Sequence, residues 1–251
     1  MTTAMKIREI TAKSILSRSQ VSDYAVNPYV GCQHACVYCY AKFMKRFTGH
    51  RESWGEFVDV KINAPELLAR EVLKKKVGRV WISGVCDAYQ PLERKFRLTR
   101  KCLEVLVDNG WPVTVQTKSP LVLRDIDILT RARNIEVGFT ITTADERMRK
   151  IFEPGAPPTA KRVEALKKLH AAGVRTFAMI APILPGAESL PDLLKGKVGH
   201  VLLDRLNYHY ADAAYKKFGM QWAREDSFFR AKSGELRKAF EKNGTPCQVL
   251  F

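Results

Sequence analysis

Short runs of alternating apolar and polar residues recur along this chain. They are separated by longer segments whose apolar positions fall three or four residues apart. The first alternating run is Tyr24 to Val30, with Pro28 near its end, where a strand can lose a backbone donor. Phe57 to Ile62 alternates in the same way. Asn63-Ala64-Pro65-Glu66 then predicts a helix start, with Asn63 as a cap and proline in the first turn, and the helix runs to about Lys76. Four further strands are predicted at Arg79–Val85, Pro112–Thr117, Glu136–Thr142 and Arg175–Ile183, with helices at Thr99–Asp108, Asp125–Ala132 and Thr159–Ala172 between them. His200–Leu206 adds one more strand. Strand and helix alternating this way predict parallel β/α units, and 251 residues suit an α/β barrel within one domain.

Both ends depart from the pattern. Residues 1–22 read as an arm in which Ile7, Ile10, Ile15 and Leu16 interleave with Lys6, Arg8, Lys13 and Arg18. It is either a basic strap over a substrate or, the favoured reading, a short element packed on the bottom of the barrel. Residues 208–243 concentrate aromatic and basic side chains, among them Tyr208, His209, Tyr210, Trp222, Arg224 and Phe228. Such a mixture stacks on bases and neutralises phosphates, but it equally builds amphipathic helices that turn their aromatics inward. The expected segments are therefore an arm at 1–22, a barrel at 23–207, and a helical extension with an end strand at 208–251.

Charge adds a partner class. Lys and Arg number 42 against 26 Asp and Glu, a net +16, and such an excess favours a polyanion through counterion release. Solvated Lys-rich helix faces are the plainer alternative. No apolar run is long enough to span a bilayer, so no membrane partner is expected and the expected location is cytoplasmic. A reducing compartment also keeps thiols from pairing.

The chemistry concentrates in Asn27-Pro28-Tyr29-Val30-Gly31-Cys32-Gln33-His34-Ala35-Cys36-Val37-Tyr38-Cys39-Tyr40. Its three cysteines have no fourth nearby. Cys86, Cys102 and Cys247 are scattered, and Cys102 falls on the apolar stripe of its helix with Leu103 and Leu106. A closed structural zinc site takes four protein ligands, as electron-transfer iron–sulfur clusters usually do. Three thiolates would leave one iron of a cubane open. A zinc loop using His34 as its fourth ligand is the rival, strained because His34 lies between two of the cysteines.

Cys-x3-Cys-x2-Cys with Tyr38 before the last cysteine resembles the signature of the radical S-adenosylmethionine (SAM) enzymes. The resemblance implies a 4Fe-4S cluster on Cys32, Cys36 and Cys39, with SAM chelated by the open iron. It also implies an electron supplied by a reducing partner such as flavodoxin or ferredoxin, and a 5′-deoxyadenosyl radical as the product of SAM cleavage. In a parallel barrel the site gathers where strands end, which directs attention to Asp87, Lys118, Thr140 and Thr142. Asp87, Lys118 and Thr140 are of the types that would meet the amino, carboxylate and ribose groups of SAM.

Further stretches carry the resemblance: Thr117-Lys118, Phe139-Thr140-Ile141-Thr142, Phe152-Glu153-Pro154-Gly155 and Ala181-Pro182-Ile183. With the cysteine loop they are similar, in the same order, to spore photoproduct lyase and its DNA-photolyase-like radical SAM relatives, from about Ala12 to Asn207. This implies a partial (β/α)6 barrel of the TIM type with a helical C-terminal extension. Tyr40 and Lys118 would contact SAM, Asp87, Thr140 and Thr142 would be further ligands, and Tyr38 and Tyr40 match tyrosines that steer hydrogen and electron transfer. Gly84 stands where the lyase has its hydrogen-returning cysteine. Cys86 is the substitute candidate, against the alternative of a small packed side chain. The function expected is radical chemistry on a nucleic acid base or nucleotide by a monomer or weak dimer. The rivals are a peptide or small-metabolite substrate, and a zinc-stabilised nucleic-acid-binding module.

Overall fold

The computed structural model describes residues 5–251, so residues 1–4 of the arm lie outside the described residues. The contacts form two compact units, one holding the chain up to Ala35 with Ala41–Val137, the other Cys36–Tyr40 with Gly138–Phe251. The division falls inside the 23–207 segment, not at its ends.

The first unit carries strands β1 (Lys6–Ile10), β2 (Leu16–Arg18), β3 (Tyr24–Val26), β4 (Tyr29–Val30), β5 (Phe57–Lys61), β6 (Val80–Ile82) and β7 (Val113–Thr117). Parallel pairing joins β3 to β6 and β6 to β7, with β2 antiparallel on the outer side of β3. Val26, Val80, Ile82, Val113 and Val115 are fully buried in this layer. The helix Leu98–Asp108 buries Cys102, Leu103 and Leu106, so Cys102 packs as its periodicity predicts.

Three local expectations change. The run 24–30 is two strands, because Pro28 has no N–H to continue a ladder and its carbonyl instead accepts from Lys61 N at 3.0 Å. The arm contributes β1, which pairs parallel with β5 from Lys6–Phe57 to Ile10–Lys61, while β4 pairs antiparallel with β5. So β5 lies in a separate three-stranded sheet, and residues 6–10 of the arm form one of its strands. Asn63 stands at the N-cap, but its side chain makes no capping hydrogen bond; its amide exchanges hydrogen bonds with the Ala12 backbone at 2.9 and 3.0 Å and ties the arm to the helix Ala64–Val72. After the cysteine loop the chain forms a 3-10 helix at Tyr40–Phe47.

In the second unit, β8 (Ile135–Thr140), which crosses the division, is followed by β9 (Arg175–Ile180), β10 (His200–Leu203) and β11 (Cys247–Val249). They lie in the order β8-β9-β10-β11, with β10 parallel to both of its neighbours. The helices Asp212–Lys217 and Asp226–Lys242 bury Tyr215, Phe229, Leu236 and Phe240, whereas Tyr208, Tyr210, Phe218 and Trp222 face solvent.

Packing in this unit is close enough to forbid a methyl group. A Cβ on Gly138 would stand 2.0 Å from the ring of Phe177, which is buried and stacked on His200 with centroids 5.5 Å apart. Gly138→Ala is expected to destabilise by at least about 1–3 kcal/mol, the usual cost of overpacking a core. Urea unfolding checks this, and an unchanged midpoint would refute it.

Candidate functional site

The cysteine loop begins with a forced turn. Gly31 has φ +92°, and a Cβ there would stand 2.3 Å from the carbonyl oxygen of Phe57, so glycine is required on two counts. Ala35 N donates to Cys32 O at 3.2 Å and Cys39 N to Cys36 O at 3.1 Å, folding the segment into two tight turns. No cysteine of the chain is in a disulfide; Cys32 and Cys36 are buried and Cys39 is half-buried. Gln90, fully buried, accepts from Gln33 N at 3.0 Å and donates to Gly31 O at 3.2 Å, while the Gln33 side chain accepts from Leu92 N at 2.8 Å. The Ala88–Glu93 stretch thus clamps the first half of the loop.

Asp87 organises the end of β7. Its Oδ1 accepts from Thr117 Oγ1 at 2.6 Å and Tyr89 N at 2.9 Å, and its Oδ2 accepts from Lys118 N at 2.7 Å. His34 Nδ1 lies 3.3 Å from the same Oδ2. Burial by itself would raise the Asp87 pKa, but His34, Thr117 and Lys118 N outweigh it and hold the carboxyl well below the usual range. Three hydrogen bonds from the chain thus converge on this carboxylate, with His34 close by. Asp87 therefore anchors the main chain of Tyr89 and Lys118 and the Thr117 hydroxyl at the end of β7.

The second unit holds a matching group around Glu153. Tyr38 donates its hydroxyl to Glu153 Oε1, and Thr142 Oγ1 donates to the same atom at 3.1 Å. Arg162 Nη1 stands 2.6 Å from Glu153 Oε2 and donates to Thr140 O at 3.1 Å. Glu153, Arg162 and Thr142 are fully buried. Burial first, then the Glu153 charge, pushes the Tyr38 phenol well above its ordinary value, so it stays protonated and donating. Tyr38 and Thr142, expected at the reacting centre and on SAM, thus share one acceptor in Glu153. Glu153 carried no predicted role although Phe152-Glu153-Pro154-Gly155 marked its neighbourhood, and Arg162 gave no signal, since an arginine on a helix reads as solvated.

Tyr40 behaves differently. It is 44% exposed and stacks on Tyr208 at 6.3 Å with planes 22° apart, and Tyr208 stacks on Tyr210 at 5.9 Å and 16°. Cys86 packs against Tyr29, Val58, Val60 and Leu98, and burial pushes its thiol up to about 12, which keeps the S–H bond.

The family model of the Radical SAM superfamily matches residues 26–189, more than half of the chain. The chain belongs to the radical SAM superfamily. An uncharacterized protein of Methanocaldococcus jannaschii is 39% identical over 187 residues, covering 74% of this chain and 70% of the relative. An uncharacterized protein of Acidianus two-tailed virus is 33% identical over 66% of the chain, and one of Mycobacterium bovis 28% identical over 64%; this chain spans 58% and 50% of their lengths. Among solved structures, spore photoproduct lyase complexed with dinucleoside spore photoproduct superposes with a TM-score of 0.69 at 16% identity, covering 98% of this chain and 82% of that one. Streptococcus suis SuiB bound to precursor peptide SuiA gives 0.53 at 14% identity over 88% and 46%. The fold is thus the mostly parallel α/β arrangement of the radical SAM partial barrel.

As a radical SAM enzyme the protein uses a 4Fe-4S cluster and SAM, and its family takes electrons from a reducing partner. The donor set suits the cluster: three thiols within eight residues, none of them in a disulfide. Among the described residues no three His, Cys, Asp or Glu side chains converge as a site for a single ion, and the zinc rival gives way to the family. No helix among the described residues is long and apolar enough to cross a membrane.

Proposed function

We propose that this radical SAM enzyme acts on a base of a single-stranded or flipped nucleic acid in a lyase-like reaction. The observation that carries the reading is the stack of Tyr40, Tyr208 and Tyr210, which begins one residue after Cys39 and leaves three rings 42–49% exposed. Exposed aromatic faces are sequence-tolerant platforms for bases, and a net +16 supplies phosphate attraction. The similarity in fold to spore photoproduct lyase, crystallised with a dinucleoside, supports the same reading.

In this reading Cys32, Cys36 and Cys39 hold the cluster, and Tyr40, Lys118 and Thr140 meet SAM. Held there, cluster and SAM would supply one-electron reductive cleavage of the SAM sulfonium as the source of hydrogen abstraction from substrate. Asp87 holds Lys118 and His34 in place. Tyr38, Thr142, Glu153 and Arg162 keep the second half of the loop rigid and dry. Cys86, whose thiol stays protonated, is the candidate to return a hydrogen atom. The 23–207 segment serves as barrel and 208–251 as the extension that presents the substrate. Flavodoxin or ferredoxin as donor, a cytoplasmic location and a monomer or weak dimer complete the proposal.

Tyr208→Ala is expected to weaken binding of a single-stranded oligonucleotide by about 5- to 150-fold, the effect of losing one stacked base, with the slope against salt unchanged. Fluorescence anisotropy across a salt series checks it; no binding at low salt would move the substrate to the peptide or small-metabolite class. Anaerobic turnover in heavy water, with deuterium located by mass spectrometry, then identifies the substrate atom.

A further inference from the structure

The buried Glu153–Arg162 pair lies on the helical side of the second unit, yet its hydrogen bonds lead back to the cysteine loop. Tyr38, directly before Cys39, gives its hydroxyl to Glu153 Oε1. Its neighbour Val37 donates its backbone N–H to Phe152 O at 2.9 Å, the residue before Glu153. The Tyr38 side chain and the Val37 main chain are thus fastened to two consecutive residues.

Those two residues are themselves held from several directions. Arg149 Nη1 donates to Glu153 O at 3.1 Å and to Ala156 O at 3.0 Å, fixing the turn that follows the helix Glu146–Phe152. Arg162 Nε donates to Pro157 O at 2.8 Å while its Nη1 reaches both Thr140 O and Glu153 Oε2. The group therefore ties the end of β8, the 153–157 turn and the helix Thr159–Ala171 to one point.

A fully buried ion pair is a weak source of net stability, because both charges are taken out of water. Greasy side chains of the same volume would fill this space at least as well. What a charged pair adds is direction: a carboxylate fixed by a guanidinium accepts a phenol proton along one line only. Hydrogen bonds to a metal-bearing loop from outside its ligands set ligand orientation in this way.

We infer that Glu153 is a positioning residue for the iron-bearing loop, acting through the Tyr38 hydroxyl, with Arg162 holding the carboxylate in place. The inference rests on the cluster belonging to Cys32, Cys36 and Cys39 and is independent of the substrate. Tyr38 then has no need to touch substrate to matter.

The test uses anaerobically reconstituted holoenzyme and follows cluster loss to an iron chelator by visible absorbance, together with the electron paramagnetic resonance spectrum of the reduced cluster. Tyr38→Phe and Glu153→Ala are each expected to speed cluster loss by about 10–100-fold and to alter the spectrum. Glu153→Gln keeps an oxygen that accepts from Tyr38, and should return both readouts towards wild type. The double variant Tyr38→Phe/Glu153→Ala should be no worse than the worse single variant, since both changes cut one link.

A merely structural pair would behave otherwise: Glu153→Ala would lower the melting temperature, while Tyr38→Phe kept the wild-type spectrum and cluster lifetime. That result, or additive effects in the double variant, would overturn the inference. If Glu153→Ala fails to fold, Tyr38→Phe alone decides, because it removes one hydroxyl and leaves the ion pair intact. A wild-type protein that takes up no cluster would instead remove the ligand assignment itself, an outcome separate from equal lifetimes in loaded proteins.

Discussion

Cys36→Ala is expected to leave a folded protein that retains no stable 4Fe-4S cluster and forms no detectable 5′-deoxyadenosine from SAM. Cys36 is buried in the second tight turn of the loop, where its carbonyl accepts from Cys39 N at 3.1 Å. Removing its sulfur leaves two thiols, below the number that holds a cubane with a single open iron, and alanine fits the space without strain. Cys102→Ala is the control. That thiol is fully buried between Leu103 and Leu106 on the helix Leu98–Asp108, and burial pushes its pKa far up, so it packs as a small apolar group. Its loss should reduce stability modestly and leave iron content and SAM cleavage per bound cluster unchanged. Iron and sulfide analysis with chromatographic detection of 5′-deoxyadenosine decides between them. Normal cleavage in Cys36→Ala would move the cluster to other ligands.

Asp87→Ala should be the most damaging polar substitution outside the cysteines. The change leaves Tyr89 N, Lys118 N and the Thr117 hydroxyl without their acceptor, all at buried or half-buried positions. At about 1–3 kcal/mol for each buried group left unsatisfied, the loss is at least about 3 kcal/mol. Its pH dependence separates this account from simple loss of packing. The folded-state pKa of Asp87 is depressed, so its contribution is complete above the unfolded value near 4 and is lost as pH falls through the lower folded value. The gap between wild type and Asp87→Asn, measured by denaturant unfolding, should therefore be widest at neutral pH and shrink below about pH 4. A gap independent of pH would show that the charge is not what Asp87 contributes.

The two predictions differ in what they ask of SAM. Cys36 bears on the reaction through the cluster, whereas Asp87 bears on it through the groups it arranges, the Lys118 main chain among them. An enzyme with Asp87→Asn that still folds is expected to load a cluster and lose affinity for SAM through Lys118.

How much of this was legible in the chain differs by residue. The cysteine loop was legible because ligand count and spacing are properties of the covalent sequence: three thiols within eight residues hold no closed tetrahedron. The parallel β/α order was legible because alternation along a strand and burial in a sheet have the same period. The core role of Cys102 followed from its helical stripe for the same reason. The break at Asn27-Pro28 was marked by proline, yet the partner of each half was not, since β3 and β4 pair with strands in different sheets. The choice of β5 as partner for β1 depends on pairing across 51 residues, which no local pattern encodes.

The sequence by itself determined the chemistry: the number of sulfurs, their spacing, the excess of positive charge and the order of strands and helices are written in residue types and periods of a few positions. Only the tertiary structure decided who holds whom. Asp87, Thr142 and Tyr38 have the side chains of ligands and reactants, and the fold engages each with another residue of the chain, while Glu153 and Arg162, unremarkable in the sequence, meet in a buried pair behind the loop. The physical reason is that a hydrogen-bonding group shows its type in the sequence, but whether it remains available depends on distances across tens of residues that form only when the chain has folded.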